Sequence, residues 1–326
     1  MIEVKKYTDN DRSRWNDFLQ SSKNSSFLFN RDFMEYHKDR FQDHSLIVEE
    51  DGKILAMLPA NKGTDRSIVS HGGLTYGGFI FAKETKLTEA LHYIAEALKF
   101  LEAVEIKTVV YKSIPRFYNS VGSDEIDYAL FLLKAELIRR DTAFAINQSD
   151  KLSLQVRRLR SIKKAIKENV EVREEKDFSL FWNEILTPNL LSRFDRKPVH
   201  SLEEISLLAS RFPTNIRQFN AYHNGMIMAG ATIFETPLVA HAQYISASEE
   251  GRKNGAIDHL FNELIETHFK HKNYFDFGIA NENEGRKINM GLLDWKEGFG
   301  GRTFCHDFHQ INTSHYTELF NVINHD

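Results

Sequence analysis

The residues best suited to chemistry fall between positions 238 and 301. A strand over 238–248 (LVAHAQYISAS) runs into a turn at 249–255 (EEGRKNG), a long helix over 256–271 and a strand over 274–278 (YFDFG). A glycine-rich stretch at 291–301 (GLLDWKEGFGG) closes the segment. Where a strand feeds a helix start, unpaired backbone N–H groups and the positive end of the helix dipole meet, which suits an anionic ligand. Arg252, Lys253 and Asn254 stand at that turn, and Gly251 and Gly255 let a ligand approach the backbone. The same pattern also describes an ordinary β-α-β unit with a basic turn, so it does not assign a ligand by itself.

Two further stretches concentrate cations in a chain whose net charge is −4. Over 151–167 (KLSLQVRRLRSIKKAIK), Leu152, Val156, Leu159, Ile162 and Ile166 recur at helical spacing and predict an amphipathic helix docked through that stripe. Its other faces carry Arg157, Arg158, Arg160, Lys163, Lys164 and Lys167: a solvated face, or a surface for a phosphate-rich partner. After a strand (170–174) and a helix (178–186), the linker 192–200 (SRFDRKPVH) gathers Arg193, Arg196 and Lys197 before a helix starting at Ser201.

Common catalytic signatures are missing: there is no GxSxG, Walker, HExxH or GxGxxG motif. Cys305 is the single cysteine, which excludes an internal disulfide and a thiolate-cluster zinc site. His306 and His309 fall on opposite faces of a late strand, so no metal is expected. Asp276 and Glu282 are acids of the right type for a general base, but no spacing pairs them.

The surrounding elements read as mixed α/β. Asp51-Gly52 and Asn224-Gly225 each sit between apolar runs and predict β-hairpins. Each is followed by a further strand, a glycine-containing segment (71–79, HGGLTYGGF, in the first half), a helix and a buried strand, with an offset of about 170 residues. The first glycine segment predicts a tight, exposed loop. Two copies of one unit are the simplest account, with domains over 1–149 and 150–326. Composition is that of a soluble protein, 41% hydrophobic and 27% charged, with no apolar run near the roughly 18 residues of a membrane span. Mild acidity argues against DNA as a partner, and a cytoplasmic location is expected.

The basic helix with its following strand, the RFDRKP linker, the strand-turn-helix unit and the tail GLLDWKEGFGG resemble the FemABX family. These are peptidoglycan-bridge aminoacyltransferases built from two tandem GNAT-type acyltransferase folds, with relatives in polysaccharide loci. The most distinctive match is Trp295-Lys296 before Gly298-Phe299-Gly300. The resemblance implies two GNAT-like domains, each a mixed, mostly antiparallel sheet flanked by helices. It implies that Lys296 stabilises charge beside the acyl donor, that Tyr244 lies at the active cleft, and that Arg193 or Arg196 holds acceptor phosphates. Amide formation on an amino sugar or a nucleotide-linked cell-envelope precursor is the implied reaction. The donor would be acetyl-CoA or another acyl-CoA, held at Arg252, Lys253, Asn254 and Gly255, or else an aminoacyl-tRNA. The acyl-CoA turn, Q/R-x-x-G-x-G/A, is met only in part, because Ile257 replaces the final small residue. A non-catalytic protein that binds a phosphorylated ligand on a degenerate GNAT fold is the reading from another class.

Overall fold

A computed structural model describes residues 1–323 of the chain. It divides into two compact units: Met1–Asp141 with the tail from Cys305, and Thr142–Phe304. The chain leaves the first unit within the strand Glu136–Asn147 and returns within the strand Arg302–Asn312. The units are therefore not the contiguous segments 1–149 and 150–326. The strand that ends the first half pairs with Tyr274–Ile279 of the second unit, and the late strand pairs with Thr108–Lys112 of the first.

In the first unit, strands Ile2–Lys6, Leu46–Glu50, Lys53–Leu58 and Ile80–Phe81 form one antiparallel sheet in that order. The Asp51-Gly52 turn has φ of 49° and 77°, the left-handed pair that joins two such strands. The helix Leu87–Ala103 buries Leu91, Ile94, Leu98 and Leu101 in the core. A parallel pair follows, with Ser67, Ile68 and Val69 opposite Thr108, Val109 and Val110. The glycine segment at 71–79 is mostly buried, not exposed. Lys112 Nζ donates to the carbonyls of His71 and Leu74, and the Phe79 N–H donates to the Tyr111 hydroxyl at 2.9 Å.

The second unit carries the strands Glu136–Asn147, Tyr274–Ile279, Val239–Ala247, Met226–Glu235, Ile216–His223 and Glu171–Glu175, side by side in that order. Its one parallel pair, Val239–Ala247 with Tyr274–Ile279, repeats the three-residue parallel register of the first unit. The helix Ala256–Glu263 packs Leu260 and Phe261 on the sheet and continues as a π-helical turn, Leu264–His268.

Two local expectations are corrected. The basic helix, Val156–Lys167, docks through Arg158, Ile162 and Ala165, while Leu152, Val156, Leu159 and Ile166 stay exposed. The ion pair from Arg158 to Asp258 turns the helix away from its apolar stripe. The turn at 249–255 is a short helix, Glu249–Lys253, capped by Ser248, whose hydroxyl accepts the Gly251 N–H at 2.9 Å.

Candidate active site

The parallel register of the second unit stops at His241 opposite Asp276, while the first strand runs on to Ala247. At this fork His241 Nδ1 lies 2.8 Å from Asp276 Oδ2, and the Gly278 N–H donates to Asp276 Oδ1 at 2.7 Å. Both side chains are almost entirely buried. The carboxylate fixes Nδ1 as the N–H nitrogen and leaves Nε2 with the lone pair, the arrangement of an oriented general base. In the first unit the corresponding positions are Val69 and Val110, so that unit has no such pair at its fork.

Lys296 approaches the same fork from the helix Met290–Gly298. Its Nζ donates to the carbonyls of Gly278 at 2.9 Å and Ile279 at 2.6 Å. Burial pushes its pKa down to about 7, against the opposing pull of Asp276. A buried amine of that kind exchanges a proton near neutrality or stabilises nearby negative charge. Gly278, at φ +71°, gives the backbone the bend that presents its carbonyl to Lys296. The neighbouring Trp295 is held by an N–H bond to Asp258 at 2.8 Å, and it packs edge-on against Phe261, Phe277 and Phe299. Arg158 grips the same carboxylate at 2.7 and 2.8 Å. The aromatic-Lys motif thus packs the half-buried tryptophan against the core and sets the lysine at the fork.

Tyr244 shares the fork's face of the sheet. Ala242 pairs with Ile233 and Tyr244 with Thr232, so Gln243 is an extra residue. That bulge puts His241 and Tyr244 on one face. The Tyr244 hydroxyl is 2.6 Å from His200 Nδ1 and accepts the His200 N–H at 3.2 Å, which ties the 195–200 linker to the sheet. Trp182 packs edge-on to Tyr244 at 4.9 Å, within the π-helical turn Trp182–Leu186. Its indole N–H is buried and has no hydrogen-bond partner among the described residues. Phe181 sits over Gly230, where a Cβ would come within 2.2 Å of the ring. The same face carries the buried polar side chains of Gln218, Asn220 and Thr232, linked by bonds of 2.7 Å from Gln218 to Asn220 and from Thr232 to Gln218. Polar residues thus alternate along this face of otherwise apolar strands.

The four residues expected to cradle a coenzyme pyrophosphate are differently employed. Gly255 has φ +84°, and a Cβ there would meet the Ser161 carbonyl of the basic helix at 2.3 Å. Gly251 packs as closely on the Met228 carbonyl. Both glycines therefore serve packing. Glu249 and Glu250 occupy the first turn, where they disfavour an anion. Lys253 is exposed and pairs with Glu249 at 2.6 Å, and Asn254 is buried with its amide oxygen accepting the Ala256 N–H. Arg252 donates to the Ala247 carbonyl; its pKa is lowered by burial first and by the charge of Arg193 second. Arg193, expected to bind acceptor, and Arg252, expected to bind donor, are thus electrostatic neighbours. Arg193 lies in the last turn of the helix Thr187–Phe194. Arg196 lies beyond the helix, in the neighbourhood of Glu282, whose carboxyl is held below its usual pKa first by the Lys287 and Asn289 hydrogen bonds and only last by Arg196.

One feature of the first unit escaped sequence reading. A cleft of about 450 Å³ is lined by Tyr7, Arg12, Arg31, Lys38, Asp43 and His71, among others. Arg31 is buried between the rings of Tyr7 and Trp15, at 3.3 and 4.0 Å, and pairs with Asp43 through Nη1 at 2.6 Å. Its Nε and Nη2 have no hydrogen-bond partner among the described residues.

The arrangement has close structural relatives. FemX superposes with a TM-score of 0.69 at 12% identity over 99% of this chain and 100% of its own. The likeness is one of fold, and the fold is that of FemX. L-PGS from Bacillus licheniformis matches with a TM-score of 0.60 at 12% identity over 99% of both chains. A C-terminal domain from Agrobacterium fabrum, assigned to lysylphosphatidylglycerol synthetase, matches at 0.60 with 11% identity over 96% of both. No protein-family model matches the sequence, and no curated protein matches it by sequence.

Proposed function

We propose that the protein is an N-acyltransferase that forms an amide on an amino group of a cell-envelope precursor, an amino sugar or a nucleotide-linked acceptor. The observation that carries this reading is the His241–Asp276 pair at the strand fork with Lys296 against the adjoining carbonyls. The acceptor amine attacks the donor carbonyl carbon directly. An N–C bond forms, the donor C–O or C–S bond breaks, and His241 Nε2 takes the amine proton for return to the leaving group. Lys296 stabilises the oxyanion of the tetrahedral intermediate, and Asp276 holds the imidazole in its tautomer. Tyr244, bound to His200, positions the linker that follows Arg193 and contains Arg196.

An aminoacyl ester, as on tRNA, is favoured as donor over acyl-CoA. What supports this is the packed turn: both glycines of 249–255 meet neighbouring backbone, and two glutamates occupy the helix start. The test is transfer to a nucleotide-linked peptidoglycan precursor or to glucosamine, from labelled aminoacyl-tRNA and from labelled acetyl-CoA. Product with His241→Gln at the wild-type rate overturns the reading.

A further inference from the structure

The basic helix Val156–Lys167 is covered on one side only. Arg158, Ile162 and Ala165 face the unit, but Val156 is 61% exposed, Ile166 54%, Leu152 46% and Leu159 43%. At helical spacing, Val156, Leu159, Lys163 and Ile166 fall along one line. Arg160, Lys163 and Lys167 stand in and beside this row, exposed and with no ion-pair partner among the described residues. Arg157 and Lys164, at the edge of the face, are engaged by Asp294, by the Lys253 carbonyl and by Glu168 at 3.9 Å.

Aliphatic side chains and unpaired cations on the same exposed helix face are the pattern of a helix lying in a bilayer interface. We propose that this face docks the protein on an anionic lipid surface, with Arg160, Lys163 and Lys167 on headgroup phosphates and Val156, Leu159 and Ile166 at the acyl-chain boundary. The charge complementarity is direct, and the aliphatic row decides between polyanions. A nucleic acid would use the cations and leave three aliphatic side chains in water, whereas a bilayer buries them. The docking is independent of which donor the enzyme uses.

The test is co-sedimentation of the full chain with vesicles of phosphatidylcholine alone and of phosphatidylcholine mixed with phosphatidylglycerol. Two variants are compared, Leu159→Ser/Ile166→Ser and Lys163→Glu/Lys167→Glu. These positions are exposed, so melting temperatures within a few degrees of wild type verify folding. Wild type pellets with the anionic vesicles and hardly with the neutral ones, and each double variant partitions about tenfold more weakly. No pelleting with anionic vesicles overturns the proposal. So does unchanged partitioning of Leu159→Ser/Ile166→Ser, and if that variant also keeps wild-type binding to bulk tRNA while Lys163→Glu/Lys167→Glu loses it, the face is a nucleic-acid surface instead.

Discussion

His241 and Asp276 form the last pair of a parallel register, and the 2.8 Å contact between their side chains sits where the two strands part. The backbone register thereby sets the imidazole tautomer. Replacing His241 with Gln lowers kcat by about 10² to 10⁴, the usual loss for a general base, with little change in melting temperature. Asp276→Asn lowers kcat as well and shifts the pH–rate profile, which a purely structural aspartate would not do.

Lys296 is expected to show itself in pH-dependent stability. Its pKa is held at about 7 in the fold, against a reference of 10.5. Between those values the unfolded chain binds the proton and the folded chain does not, so stability falls as pH drops through this window and levels off below about 7. Lys296→Met removes the dependence. The wild-type-minus-variant difference in unfolding free energy should rise by roughly 1 kcal/mol from pH 7.5 to 8.5, at up to about 1.4 kcal/mol per pH unit. Parallel denaturation curves at the two pH values would contradict the assignment. Turnover of Lys296→Met should be largely lost.

Asp258 joins the basic helix to the Trp295-Lys296 segment through Arg158 and Trp295. Asp258→Ala strands a largely buried guanidinium and should cost about 3–5 kcal/mol, measured by chemical denaturation. Asp258→Asn keeps an acceptor for the indole and should cost less.

Gly255→Ala meets both a left-handed φ and the Ser161 carbonyl, and is expected to destabilise by about 2 kcal/mol or more. If the glycine cradled a coenzyme instead, the substitution would raise the acyl-CoA KM while leaving stability nearly intact. Comparing denaturation with KM separates the two roles.

Much of the fold was legible in the sequence, because the hairpin glycines, the helical periods and the recurring element order are local signals. The strand-turn-helix unit and the WKEGFGG tail are visible in the sequence; the fold sets Lys296 on the Gly278 and Ile279 carbonyls and Tyr244 on the strand that carries His241. His241 was not legible as a base, since its partner lies 35 residues away and the strand register brings them together. The Gln243 bulge, which aligns His241 with Tyr244, leaves no compositional mark. The docking face of the basic helix was misread because the buried Arg158–Asp258 pair outweighs an aliphatic stripe. Glycines 251 and 255 looked like ligand contacts, and only the packed backbone shows what they meet. The pairing of 143–147 with Tyr274–Ile279, and of 308–312 with Thr108–Lys112, is long-range and beyond the reach of any sequence window.

The most direct measurement is single-turnover transfer of label from aminoacyl-tRNA, with acetyl-CoA in parallel, to a nucleotide-linked peptidoglycan precursor and to glucosamine. Wild type is compared with His241→Gln. The account predicts amide product with wild type, from the aminoacyl ester in preference to the thioester, and at least a hundredfold slower formation with the variant. Equal rates for the two proteins, or no transfer from either donor to either amine by folded wild type, would contradict it.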